Sequence, residues 1–184
     1  GGRNRGLRWD TINWPLVHSV AKLDSEWAWR LRRVMDLRVL LDWVPTLRNM
    51  VFRQYVEMPS FNDGHERDVC RLCTTGEVET ISHILTECPG LATQRSDLWS
   101  QLSTAIGREV CVHVRDLFES FTSTQKAWFL SGGLPIGLQD ELRTTGLSAF
   151  DRERLVRKLA RWSWDSGQAL WAARNSQIHS LLGT

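Results

Sequence analysis

Apolar residues in this chain recur at helical intervals far more often than they alternate, and the pattern predicts a mainly α protein. Over Ser25–Asp42, Trp27, Leu31, Val34 and Leu41 fall near one face, with Asp24 or Ser25 placed to cap the first turn. Pro45 ends or bends that helix, because proline lacks an amide donor and disfavours helix at the residue before it. Leu47, Val51, Tyr55 and Met58 carry a second helix to about Glu57, where Pro59-Ser60-Phe61-Asn62-Asp63-Gly64 breaks the pattern. A short helix over Glu79–Leu85 sets Ile81, Ile84, Leu85 and Cys88 on one face and stops at Pro89-Gly90.

A longer helix follows over Leu91–Ile106 on Leu91, Leu98, Leu102 and Ala105, and Gly107 is well placed to terminate it. Val110-Cys111-Val112-His113-Val114 alternates like a strand but has no evident partner. Helical spacing returns over Thr124–Leu130, ahead of Gly132-Gly133 and the turn-rich Leu134-Pro135-Ile136-Gly137. The strongest periodicity comes last. From Asp151 to Leu182 the positions Leu155, Leu159, Trp162, Ala169, Leu170, Ala173, Ile178 and Leu181 hold a helical period, interrupted only at Ser166 and Gly167, where a close crossing or a kink is expected.

The expected organisation is a single helical domain. Residues 1–22 form a basic arm ending in a short helix, residues 23–107 form helices flanking a central segment at 70–88, and residues 108–184 form a connector and a long C-terminal helix.

That central segment carries the chemistry. It reads Cys70-Arg71-Leu72-Cys73, nine residues, His83, four residues, Cys88. Two cysteines two residues apart can present both sulfurs from one tight turn, and a histidine and a third cysteine can close a tetrahedron from a helix and its end, so a small CCHC zinc site is predicted. Four protein ligands leave no open position, which makes the ion structural. Two alternatives stand beside this reading: Cys111 or His113 in place of His83, or no metal, with three buried reduced cysteines and a surface histidine. Four cysteines in ligand-type spacing, with no leader-like opening and no apolar run approaching about 18 residues, suggest a reducing, intracellular setting and no membrane partner. Gly1-Gly2 without a methionine suggests an expression remnant or excision from a longer polyprotein.

Charge adds a second theme. The net charge is only +2, but residues 1–60 carry ten Lys/Arg against six Asp/Glu, residues 61–120 five against ten, and residues 121–184 eight against five. Arg154, Arg157, Lys158 and Arg161 share one helix face, where like charges repel unless solvent or an anion separates them, so a phosphate backbone is a candidate partner. Arg30 and Arg33 lie off the apolar seam of their own helix and join that candidate surface, with solvated helix faces as the alternative. Ten tryptophans point chiefly to core, with stacking on unpaired bases as a use for one or two. Catalytic constellations are absent from the sequence: there is no Gly-rich phosphate loop, no nucleophile turn, no H-E-x-x-H, and Asp140-Glu141 reads as a helix start or exposed turn. No small-molecule substrate is implied.

The residues from Cys70 to Pro89, with Glu79-Thr80 four and three positions before His83 and the trailing Cys88-Pro89, resemble the zinc-binding region C-terminal to the reverse transcriptase of non-LTR (LINE-type) retrotransposons. Ala169-Leu170-Trp171-Ala172-Ala173-Arg174-Asn175 is similar to the hydrophobic-W-x-A-R-N segment that often follows it. In the family a glycine often stands directly after the second cysteine; here it is displaced to Gly76. The resemblance implies a non-enzymatic, zinc-binding accessory domain of a retroelement polyprotein or a domesticated descendant. Such a domain would work in a nuclear or cytoplasmic ribonucleoprotein, hold element RNA or target DNA, or dock on the polymerase domain or a host protein.

Overall fold

The computed structural model describes residues 8–12, 46 and 68–181, and over these the protein is mainly helical. The helices expected over 25–42 and 47–57, with Arg30 and Arg33, lie outside the described residues. Strand β1, Arg8–Ile12, pairs antiparallel with β2, Pro135–Ile136, through an irregular register that sets Arg8 opposite Ile136 and Ile12 opposite Pro135. The pattern over residues 1–22 predicts a loose arm ending in a helix; β1 within it is extended. Gly137 at φ +88 turns the chain directly after β2.

Five α-helices follow the Cys70–Cys88 segment: α1 (Ala92–Ile106), α2 (Arg108–Glu119), α3 (Ser123–Phe129), α4 (Leu138–Glu141) and α5 (Ala149–Leu181). Gly107, at φ +89, both ends α1 by bonding its amide to the Ser103 carbonyl and opens α2. The expected strand over Val110–Val114 is therefore helix. Cys111, Val114 and Phe118 form its buried face while Val112, which strict alternation puts with Val110 and Val114, is 53% exposed. β-branched residues favour a strand only where a neighbouring strand supplies partners. The apolar face of a helix here meets Trp99 and Phe129 instead. A capping box at Thr122 and Gln125 starts α3.

The long helix α5 runs unbroken from Ala149 to Leu181 and forms the floor of the core. Leu155, Leu159, Leu170 and Ile178 are buried as the periodicity requires, joined by Val156, Ala160 and Trp164, whereas Ala169 and Leu181 face solvent. The interruption at Ser166-Gly167 is a crossing. A Cβ on Gly167 would lie 2.2 Å from the Leu130 carbonyl oxygen, and buried Ser163 donates to the Phe129 carbonyl and accepts from the Gly132 amide at 3.0 Å. Small residues on α5 thus admit the C-terminal turn of α3 against its backbone.

Trp99, Phe118, Phe121, Phe129 and Trp162 pack as one aromatic cluster, with ring centroids 4.9 to 6.4 Å apart. Trp162 also donates its indole N–H to the Leu98 carbonyl at 2.9 Å, locking α1 to α5. Tryptophans 99, 128, 162, 164 and 171 are each at least half-buried, which is the core role. Among the described residues no helix is long and apolar enough to cross a membrane.

Candidate metal centre

The first two candidate ligands, Cys70 and Cys73, are carried by a short β-bridged loop. Val69 pairs with Val78, the Cys70 amide bonds the Glu77 carbonyl at 2.8 Å, and Gly76 at φ +74 takes the left-handed turn that closes the loop. A glycine is needed at this position because of that left-handed φ. The Leu72 amide hydrogen-bonds the Cys70 sulfur, so the turn that spaces the two cysteines also offsets part of the electrostatic cost of a thiolate.

The other two candidate ligands, His83 and Cys88, come from a helical turn with an unusual closure. Thr80 caps it, accepting at Oγ1 from the His83 amide at 3.0 Å and at its carbonyl from the Ile84 amide at 3.0 Å. His83–Glu87 then widens to a π-turn, in which the Cys88 amide bonds the His83 carbonyl, five residues back, at 2.7 Å. In a regular α-helix residues five apart point about 140° away from each other. The wider π closure brings His83 and Cys88 back toward one side, so the four-residue gap between them is matched by the local backbone.

The ligand atoms of Cys70, Cys73, His83 and Cys88 all lie within 4.8 Å of one another. Cys70 Sγ and Cys88 Sγ are 3.7 Å apart, and Cys73 Sγ lies 3.4 Å from His83 Nε2. On a tetrahedral zinc ion two thiolates sit about 3.8 Å apart, and a thiolate and an imidazole nitrogen about 3.5 Å. The donor set and its spacing therefore fit a divalent ion of that kind. All four cysteines are free thiols. Cys70, His83 and Cys88 are buried and Cys73 is half-buried at the rim, where Thr75 Oγ1 lies 3.1 Å from its sulfur.

The alternative fourth ligands are engaged elsewhere. Cys111 Sγ points to the Trp99 carbonyl at 3.8 Å, and burial pushes its thiol up from the ordinary value. His113 Nε2 lies 2.7 Å from Thr144 Oγ1.

Electrostatically the metal-free cluster shares its protons unevenly. Cys88 is pulled down to about 4, chiefly by the bond from the Cys70 thiol and further by bonds from His83 and the Gly90 amide, against the opposing effect of burial. His83 is raised to about 9, chiefly by its bond with Cys88 and further by Cys73, again against burial. Cys70 is pushed above its ordinary value by the bond with Cys88 and then by burial.

Three supporting residues were not legible as site residues in the sequence. Gly90 lies directly against the cysteine turn, since a Cβ there would be 2.0 Å from the Leu72 carbonyl oxygen; its only signal was its place after Cys-Pro. Arg95 donates from Nη2 to the Cys88 carbonyl at 2.7 Å. Burial lowers the Arg95 guanidinium from its ordinary value, and the charges of Cys88 and Glu87 hold it up. Arg174 of α5 reaches the buried Glu79, and a charged residue within an apolar helix stripe is the signal that could have found it.

The basic stripe of α5 is exposed, but much of it is already engaged. Arg157 pairs with Glu153 at 2.7 Å, Arg161 with Asp165 at 3.7 Å, and Lys158 Nζ donates to the Ala105 carbonyl at 3.1 Å near the C-terminus of α1, where a cation suits the helix dipole. Arg154 completes the face. Asp140 and Glu141 lie in the short helix α4, Asp140 paired with Arg143 at 2.9 Å. No protein-family model, curated protein or solved structure matches the chain.

Proposed function

We propose that Cys70, Cys73, His83 and Cys88 hold one structural Zn²⁺, and that the domain is a zinc-stabilised accessory module of the retroelement reverse-transcriptase type that binds RNA or DNA. The observation that carries the metal reading is the convergence of four donors within 4.8 Å. Three thiolates and an imidazole favour zinc over hard oxygen-seeking ions, and a set of four leaves no position for a substrate, which makes the role stabilising. The retroelement reading draws support from Glu79 and Arg174, one from each resembling segment, which meet in a buried ion pair.

Nucleic acid would be met by the exposed α5 face of Arg154, Arg157 and Arg161, with Lys158 restricted to a supporting place because it caps α1. A filter-binding titration at two salt concentrations, with and without chelator, tests this. Affinity should fall steeply with salt, fall on metal removal, and fall in Arg154→Glu/Arg157→Glu. Salt-independent or absent binding to both nucleic acids would sink it.

A second reading is a protein-docking module for a polymerase domain or host partner. It is favoured by the carboxylates that already pair with Arg157 and Arg161. Unchanged nucleic-acid affinity on reversing the stripe, together with retained capture of a polymerase domain, would support it over the first.

A further inference from the structure

The zinc reading leaves a charge to be balanced. Three cysteine thiolates and a neutral histidine around a dication leave a centre with one net negative charge, in a setting where Cys70, His83 and Cys88 are buried. The protein supplies a cation at one point beside Cys88. Arg95, in the first turn of α1, is half-buried and commits only Nη2 to the Cys88 carbonyl, at 2.7 Å. Its Nη1 is buried and takes no hydrogen-bond partner among the described residues. A buried guanidinium nitrogen without a partner is costly unless a negative field stabilises the charge it belongs to. The N-terminus of α1, which begins at Ala92 just past Cys88-Pro89, adds positive potential on the same side.

We propose that Arg95 is the counter-cation of the Cys₃His centre and a positioning residue for it: its fixed charge, set beside Cys88 through the carbonyl bond, strengthens the hold of the thiolates on a divalent ion. The inference rests on the zinc reading above. It assigns to Arg95 a role in metal retention distinct from helix packing, because the effect follows the charge and not the volume of the side chain.

The test is competition for Zn²⁺ between the whole chain and a chromophoric chelator, with Co²⁺ absorption as a check that the tetrahedral geometry survives. Arg95→Met keeps length and loses charge, and should weaken zinc affinity about 10- to 100-fold, the range for removing partners of metal ligands. Arg95→Lys keeps the charge and should recover most of that loss. If Arg95→Met does not fold, Arg95→Gln carries the same comparison. Wild-type affinity in the uncharged variant overturns the proposal, and so does a loss in Arg95→Lys equal to that in Arg95→Met. A wild-type chain that takes up no zinc overturns the reading underneath, and is told apart because no variant is needed to see it.

Discussion

Glu79 and Arg174, 95 residues apart in the chain, form an ion pair at 2.5 Å with side chains 0% and 6% exposed. Glu79 stands four residues before His83, directly ahead of the Thr80 that caps the ligand-bearing turn. Arg174 belongs to the far half of α5, where its guanidinium also lies 4.9 Å from the centre of the Trp171 ring. The pair ties the Cys70–Cys88 segment to the long helix. Removing one member leaves the other charged and buried, so Glu79→Gln and Arg174→Met should each cost about 3–5 kcal/mol in urea unfolding. The double variant should cost less than the sum, because neither charge is then stranded. Additive costs would show that the two residues do not act on each other.

Gly90 is required by contact rather than by conformation. A methyl group there meets the Leu72 carbonyl oxygen at 2.0 Å, and Leu72 belongs to the turn between Cys70 and Cys73. Gly90→Ala should push that turn away from Cys88, and chelator competition should show weaker zinc retention. Gly146 is the control: it sits at φ +72, and a methyl group added there would have nothing within 4 Å, so Gly146→Ala should lose about 1–2 kcal/mol of stability with zinc retention unchanged. Equal zinc loss in both variants would refute the contact argument.

Much of this arrangement was legible in the sequence, for identifiable reasons. Helices α1, α3 and α5 announced themselves by period and punctuation: Gly107 ends α1, and the small residues at Ser166-Gly167 marked the crossing. The cysteine and histidine spacing located the donors because metal geometry constrains spacing directly. Helix α2 was missed because Val110, Val112 and Val114 mimic a strand, and only the packing of Cys111, Val114 and Phe118 against the core decides the matter. The stripe of α5 looked like four equivalent cations. Their acidic neighbours Glu153 and Asp165 were visible at helical spacing, but the Ala105 carbonyl that takes Lys158 is a tertiary partner that no local pattern reveals.

Gly167 sets intrinsic propensity against packing. In an exposed helix, alanine for glycine stabilises by about 1 kcal/mol. Here the added methyl lies 2.2 Å from the Leu130 carbonyl oxygen and 3.4 Å from Ser131 Cα, both backbone atoms of the α3 turn. Gly167→Ala should therefore destabilise, by about 1–3 kcal/mol in urea unfolding. Stabilisation would mean that α5 and the α3 turn do not pack this closely.

The metal-free and zinc-loaded domains should differ in the shape of their stability against pH. In the metal-free cluster Cys88 is lowered from 9.0 to about 4, so its contribution is complete above pH 9.0 and drains away as pH falls through about 4. His83 is raised from 6.5 to about 9, so its contribution is complete below pH 6.5 and is lost as pH rises through about 9. Between 6.5 and 9 the two slopes oppose and cancel. Below 6.5 only the Cys88 loss remains, and above 9.0 the raised Cys70 thiol adds a further loss, because ionising it is disfavoured in the folded cluster. Urea midpoints measured in chelator should thus show a plateau from pH 6.5 to 9 with a decline on either side. Zinc changes the alkaline limb, since it holds the thiolates ionised and His83 neutral at every pH where it stays bound. With zinc the Cys70 share of the loss above about pH 9 should disappear, leaving the smaller loss from the buried Cys111 thiol, which is not a ligand, while the acid limb should steepen, because several protons displace one ion where a single proton acted before. A zinc-loaded curve that kept the whole of the alkaline decline seen in chelator would mean that these four side chains are not the ligands.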